Sequence, residues 1–311
     1  MRIFNKYIFI QLLLSSTFLF TVASVIAQQK TEVKKQIVKG FEVETGYFSN
    51  GQPYAKMGNG NKILLNIEAL SFEHKPPEGF LLKQFVKHSK PFIDDYTVYL
   101  VGRKPNLPDN YLFERMAENY ALLLKDEFKK PVDLMGISTG GQISMHLAAG
   151  YPEYINKVVI ISAAFRISEE GEKIERKAAE YFEQEKYGKT MATIMELIYD
   201  KGIKLGFYKS LMHIFGPGML KNVEYPNDFQ VEIRADREMN FYNRLNEIKA
   251  PTLIIAGEKD IAYSLEDIKA TSEGIPNSHL LLYEDYGHDL IMANNKEVSK
   301  KIIEFLGEKE E

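Results

Sequence analysis

The chain has 311 residues, 45% of them apolar and 26% charged, with a formal net charge of −4. This is the composition of an ordinary folded protein, and it excludes a disordered, collagenous or low-complexity chain. Charges of both signs are interspersed, so no basic stripe marks a nucleic-acid partner. Cysteine is absent, which rules out disulfides, a thiol nucleophile and a cysteine-ligated metal site.

Arg2 and Lys6 precede an apolar run from Leu12 to Ile26 that closes on Ala27 before Gln28-Gln29. The pattern predicts a signal peptide over residues 1–27. An uncleaved anchor is the alternative, since Tyr7 to Ala27 is nearly long enough to cross a bilayer, although Gln11, Ser15, Ser16 and Thr17 dilute the run. Cleavage would give an exported protein, periplasmic or secreted and bacterial-like, with no stable membrane insertion. Without disulfides it would rely on its core.

From Gln28 to Lys39 the chain is Lys-rich and is expected to be an irregular lead-in. Val38 to Phe48 and Gln52 to Met57 are predicted strands joined at Asn50-Gly51, a strong hairpin dipeptide. Gly58-Asn59-Gly60 is a turn: no helix or Lys-Ser/Thr follows to complete a phosphate-binding pattern. Lys62 to Asn66 is a strand, Phe80 to Val86 has helical spacing, and Tyr96 to Val101 is β-branched and aromatic. Leu112 to Phe128 places Met116, Tyr120, Leu123 and Leu124 at helical intervals, and Pro131 stops it. A strand from Val132 then meets Gly136-Ile137-Ser138-Thr139-Gly140-Gly141 and turns into a helix to about Ala149. Lys157 to Ala163 is a continuous apolar run, as in a strand buried on both faces.

The alternation then stops. From Ile167 to about Asn246 the chain is charged and helical, with a breaker at Gly216-Pro217-Gly218. Strands resume at Pro251 to Ala256 and Ser278 to Tyr283, and Lys296 to Leu306 is a last helix. Strands alternating with helices predict a mostly parallel sheet flanked by helices, interrupted once by an inserted helical cap. The expected layout is a core of residues 28–166 and 247–311, with the cap at 167–246.

Gly136, Ser138 and Gly140 occupy the fixed places of G-x-S-x-G, which puts Ser138 on a strained strand-to-helix turn. A serine hydroxyl is a poor nucleophile at neutral pH and needs a base, which itself needs a group to hold it. His288 follows the last strand and Asp260 the strand before it. In a parallel sheet these strand ends share one edge, so Ser138, Asp260 and His288 are expected to converge there. Of the remaining histidines, His74, His88, His146, His213 and His279, the sequence reads His146 as a packing residue. Asp285 and Asp289 do not follow the penultimate strand and are read as loop charges.

The order Ser, Asp, His on such strands resembles the α/β-hydrolase family with a helical cap inserted after the sixth strand, and the resemblance spans about Val38 to Leu306. It implies Ser138 as nucleophile, His288 as general base and then acid, and Asp260 as the residue that holds the imidazole. Relatives of that kind carry His-Gly after the strand that here ends at Asn66-Ile67-Glu68-Ala69. The backbone N–H of Thr139 is the expected first oxyanion donor, and Glu68 is the nearest positional match for the second. Asn66 is a further option through its side-chain amide.

The implied activity is cofactor- and metal-free hydrolysis of a small acyl substrate, an ester or related compound, through an acyl-enzyme. Two alternatives stay open. One is a non-catalytic ligand-binding homologue, suggested by the missing His-Gly. The other is an amidase or aminopeptidase using an acidic group of the cap, with Glu169, Glu170, Glu172 and Glu175 available. Dehalogenases and epoxide hydrolases of this fold use an aspartate nucleophile, which Ser138 argues against.

Overall fold

In the computed structural model, residues 33–199 and 201–308 are described; the expected signal peptide lies outside them. Nine strands form one sheet: β1 (Lys34–Val38), β2 (Phe41–Tyr47), β3 (Pro53–Met57), β4 (Lys62–Ile67), β5 (Tyr96–Val101), β6 (Val132–Ile137), β7 (Ile155–Ile161), β8 (Thr252–Gly257) and β9 (Ser278–Tyr283). Their spatial order is β1-β2-β3-β5-β4-β6-β7-β8-β9.

Connection length decides strand direction. The β2–β3 hairpin closes tightly at Asn50-Gly51, where Gly51 has a φ of 90° and Asn50 Oδ1 accepts the Gln52 N–H at 3.0 Å. A direct turn of this kind allows only antiparallel pairing, and β1, β2, β3 and β5 pair that way. From β5 through β4, β6, β7 and β8 to β9 every pair is parallel, which demands crossovers. These are α1 (Gly79–Ser89), α2 (Phe113–Leu123) with a π-helical turn at Leu124–Phe128, and α3 (Thr139–Gly150).

Between β7 and β8 the crossover expands into four helices: α4 (Glu169–Glu183), α5 (Tyr187–Ile198), α6 (Ile203–Leu220) and α7 (Asn227–Glu238). After β8 come α8 (Leu265–Gly274), the short α9 (Leu290–Ala293) and α10 (Asn295–Gly307). Alternate residues of the central strands enter two cores. Leu65, Leu134, Ile160 and Ile254 pack on the side of α2, α3 and the insert. Leu64, Met135, Val159 and Ile255 pack with Leu82 and Phe85 of α1 and Ile302 and Phe305 of α10.

Two local expectations are corrected. Lys34–Val38, inside the expected irregular lead-in, is edge strand β1, with Lys34 opposite Thr45 and Val38 opposite Phe41. Its Lys35 lies 3.9 Å from Glu42 and 3.7 Å from Glu44, and lysine on an edge strand discourages pairing with another chain. Counting β1, the insert follows the seventh strand. The second correction is Gly216-Pro217-Gly218, which lies inside α6 and does not break it. Pro217 leaves the carbonyl of His213 without its helical partner. A Cβ on Gly188 of α5 would lie 2.4 Å from that carbonyl oxygen, and one on Gly216 would lie 2.8 Å from Tyr187 O. These glycines let α5 and α6 approach closely, and packing overrides the local breaker.

Candidate active site

The apolar run of β6 ends at Ile137, and Ser138 follows with φ 54° and ψ −128°. A non-glycine residue in this region carries roughly 1–3 kcal/mol of strain, which its surroundings must hold. Ser138 N–H donates to Ile161 O at 3.0 Å, tying the turn to the end of β7. Glycine is required on either side. A Cβ on Gly136 would lie 2.3 Å from Gly140 O, and one on Gly140 would lie 2.3 Å from Ile67 O.

The loops after β8 and β9 are joined to each other. Glu258 N–H donates to Tyr283 O at 3.1 Å and Lys259 N–H to Tyr286 O at 3.0 Å. A Cβ on Gly257 would come within 2.1 Å of Tyr286 O, so only glycine lets the β9 loop cross the end of β8. This seam brings Asp260 Oδ2 to 2.8 Å from His288 Nδ1. The other oxygen, Asp260 Oδ1, accepts the N–H groups of Ala262 at 2.9 Å and Tyr263 at 3.1 Å. His288 Nε2 lies 3.1 Å from Ser138 Oγ.

A carboxylate on Nδ1 selects the tautomer with its proton there and leaves the Nε2 lone pair facing the serine. Burial pushes the His288 pKa down, but the charges of Asp260, Asp236 and Asp289 outweigh it and leave the imidazole above its ordinary value. All three residues expected from the sequence are thus in contact, in one chain of hydrogen bonds.

The oxyanion side differs from expectation at Glu68. Its backbone N–H donates to Val101 O at 3.1 Å, extending the β4–β5 ladder, so this amide is already used and is not free for an oxyanion. Its side chain is no substitute: the half-buried carboxyl is pushed up by burial, against the pull of Arg103. Asn66 lies within β4, and its Oδ1 is buried without a hydrogen-bond partner. Thr139 is buried at the first turn of α3, where backbone N–H groups have no partner within the helix and the helix dipole favours negative charge.

Beside this turn lies a cluster of charged side chains that extends well beyond the cap glutamates. Arg103, 1% exposed, donates through Nη1 to Glu68 O at 2.5 Å and Ala69 O at 3.1 Å. Through Nη2 it donates to Thr139 Oγ1 at 3.3 Å and to Glu232 of α7. His74 Nε2 lies 2.9 Å from the same Glu232 carboxylate. One turn further along α7, Asp236 meets Glu175 of α4 next to Gln142 and His288. Burial pushes both carboxyls up; Asp236 raises Glu175 further, while hydrogen bonds from Gln142 and Glu175 hold Asp236 back to about 7. Tyr263 donates to Gln142 Oε1 at 3.1 Å, and its ring lies 5.8 Å from that of His288.

The signal for these residues was Asp228, Glu232 and Asp236 at four-residue spacing, one stripe of α7. All three are buried. Asp228 accepts the N–H groups of Asn106 and Leu107 at 2.9 and 2.7 Å. Of the four glutamates considered for the cap, only Glu175 enters this region: Glu169 and Glu170 are exposed, and Glu172 lies 3.3 Å from Arg237. His146 is a packing residue, edge-on to Phe241 at 4.6 Å, with burial lowering its pKa to about 4. Asp285 pairs with Lys259 at 3.2 Å, and His88 lies 2.6 Å from Asn295 Oδ1. A cleft of about 620 Å³ beside Asp260 is lined by Arg166, Ser168, Glu172, Met239 and Ser264 among others, but not by Ser138 or His288. Among the described residues no group of three or more acidic or histidine side chains is arranged to hold a metal.

Comparison with known proteins agrees with this architecture. A family model described as TAP-like protein, of the Abhydrolase_4 group, matches residues 231–310. Monoacylglycerol lipase ABHD6 of Bos taurus is 24% identical over 187 residues, 57% of this chain and 55% of the relative. Lipase 1 of Psychrobacter immobilis is 27% identical over 204 residues, 63% of this chain and 62% of the relative. The chain therefore spans little more than half the length of these relatives. Among solved structures, an alpha/beta hydrolase enzyme from a Medee basin deep-sea metagenome library aligns with a TM-score of 0.72 at 16% identity, covering 89% of this chain and 98% of the other. With its mostly parallel nine-stranded sheet, its strand-turn-helix at Ser138 and these matches, the chain belongs to the α/β-hydrolase fold.

Proposed function

We propose that the protein is a serine hydrolase acting on carboxylic esters through an acyl-enzyme. The observation that carries this is the hydrogen-bonded chain from Ser138 Oγ through His288 to Asp260, at 3.1 and 2.8 Å. In the proposed reaction Ser138 Oγ attacks the ester carbonyl while His288 Nε2 takes its proton, and Asp260 holds the resulting imidazolium. The tetrahedral oxyanion is received by the N–H of Thr139 and by the amides following Glu68 in the turn that Arg103 braces. Collapse expels the alcohol, which leaves with the proton from His288. A water deprotonated by His288 then attacks the acyl group and releases the acid and Ser138. The names of the relatives, lipases among them, support a carboxylic ester as the bond cleaved. The leader pattern supports export as the setting.

The test is labelling by a fluorophosphonate probe, with site identification, together with turnover of a panel of activated esters. Wild type should label at Ser138, and Ser138→Ala should lose labelling and at least about a thousandfold of turnover. Absence of both in folded wild type sinks the proposal.

A second reading has one observation in its favour. Glu175 and Asp236 place a buried carboxyl pair next to His288, which would suit a substrate amine beside the scissile amide. Faster turnover of an aminoacyl anilide than of the matching acetyl-blocked compound, lost in Glu175→Gln, would select it over the ester reading.

A further inference from the structure

The guanidinium of Arg103 touches both segments that would face an oxyanion at Ser138. In the turn after β4, Nη1 donates to the carbonyls of Glu68 and Ala69 at 2.5 and 3.1 Å, and at the first residue of α3, Nη2 donates to Thr139 Oγ1 at 3.3 Å. The two segments are already in contact: a Cβ on Gly140 would lie 2.3 Å from Ile67 O and 2.8 Å from Glu68 O. A peptide group is planar and trans, so its N–H points opposite to its carbonyl. With the carbonyls of Glu68 and Ala69 drawn to Arg103, the N–H groups of Ala69 and Leu70 are turned away from the guanidinium. Neither finds an acceptor among the described residues, and nor does the N–H of Thr139. Unlike the amide of Glu68, which Val101 O holds, these donors are open to a ligand.

As a tie for stability alone the arrangement is a poor one. Arg103 is 1% exposed, its Nε has no partner among the described residues, and a buried ion pair is often no more stabilising than apolar residues of the same volume. Its charge is already met by Glu232 of α7. What remains particular to a guanidinium is its shape, a rigid planar fork with donors in fixed directions. An oxyanion site needs such rigidity, because its donors must all lie about 2.7–3.1 Å from one oxygen position. A fork bonded to both segments sets the spacing between them.

We infer that Arg103 is a positioning residue: it holds the turn after β4 and the start of α3 at the spacing in which the N–H groups of Ala69 and Thr139 converge on one oxyanion, and Glu232 of the inserted helix α7 holds Arg103 in place. The inference rests on the ester-hydrolase reading. Arg103 touches no reacting atom and acts through the two backbone segments. Because β4 is not followed by His-Gly, the turn is shaped from the loop after β5 and not by its own sequence. Through Glu232, the seating of the insert is coupled to the chemistry.

Arg103→Lys in the full chain separates the two roles, since lysine keeps a charge opposite Glu232 but not the fork. On the activated esters its kcat should fall about tenfold to a hundredfold. KM should stay within about twofold, because an interaction made only in the transition state lowers kcat and kcat/KM together. A trifluoromethyl ketone analogue of the best ester, which forms a tetrahedral adduct on Ser138, should lose affinity by the same factor as kcat/KM, and the product acid should not. Glu232→Gln, which keeps an acceptor on α7 without its charge, should show the same pattern in weaker form and carries the test if Arg103→Lys does not fold. Wild-type kcat and ketone affinity in the folded variants overturn the inference and leave the ester reading standing. So does a rise in KM at unchanged kcat, or a loss of activity that urea unfolding accounts for in full, since Arg103 is then a binding or purely structural residue. If folded wild type neither labels nor turns over any ester, the ester reading falls and this inference falls with it.

Discussion

Asp260 illustrates how much a single carboxylate can be made to do by its neighbours. One oxygen is held by two backbone N–H groups, of Ala262 and Tyr263, so the other is aimed at His288 Nδ1 with little freedom left. Asp260→Asn keeps the shape but presents an amide that favours the wrong imidazole tautomer, and kcat should fall by about 10³–10⁴ with the fold intact. The charge has a second effect. Because the His288 pKa is raised, the base is neutral only above its ordinary range. The proposed activity should therefore rise with pH through an inflection above 6.5, measured as kcat/KM across pH 5–9. In Asp260→Asn that inflection should move to lower pH. Ser138, Asp260 and His288 were all legible in the sequence because each stands in the turn or loop that follows a strand. Glu68 misled because position alone does not reveal which amide the sheet consumes, and here the ladder to Val101 takes it.

At the scale of an element, α7 is the instructive case. Its acids at 228, 232 and 236 have the spacing of a solvated helix face, and charged residues are almost never fully buried unless paired. Here the stripe faces inward and each acid finds a different solution: backbone N–H groups for Asp228, Arg103 for Glu232, and another carboxyl for Asp236. The third solution carries a pH signature. A carboxyl whose pKa is higher in the folded state keeps its proton there. Its contribution to stability is greatest below about pH 4, the ordinary carboxyl value, and is lost as pH rises toward the folded value, about 7 for Asp236. Glu175→Gln removes a buried carboxyl that burial and Asp236 hold in its protonated form, and still supplies a donor to Asp236. It should raise stability at pH 8 by about 1–3 kcal/mol and change it little at pH 4, as read by urea unfolding at both values. No such signal can be taken from the sequence of α7, since the partners lie on α3, α4 and β5 loops far away in the chain.

Across the whole molecule, Arg103 is the tie between the inserted helices and the sheet. Its guanidinium joins the carbonyls after β4, the threonine that opens α3 and Glu232 of α7. Breaking a buried pair by removing one partner leaves a charge without compensation, so Arg103→Met or Glu232→Leu alone should cost about 3–5 kcal/mol. The double variant should cost less than the two together by more than about 1 kcal/mol. Urea unfolding of the four proteins of the cycle measures this, and strict additivity would show that the contact carries no coupling.

The sequence by itself determined the mostly parallel sheet, its helical crossovers and the strand ends after which Ser138, Asp260 and His288 stand. These rest on local chemistry: apolar periodicity, glycine where no Cβ fits, and residues set just beyond strand ends. Tertiary structure alone decided that Lys34–Val38 is a strand, because an edge strand needs β2 beside it. It likewise decided that α6 continues through Pro217, because Gly188 and Gly216 admit close packing, and that Glu68 spends its amide on the sheet. It also placed Arg103, Glu175, Glu232 and Asp236 together around the turn at Ser138. Each depends on a partner distant in the chain, and the cost or benefit of a buried charge is set by that partner and not by the charge itself.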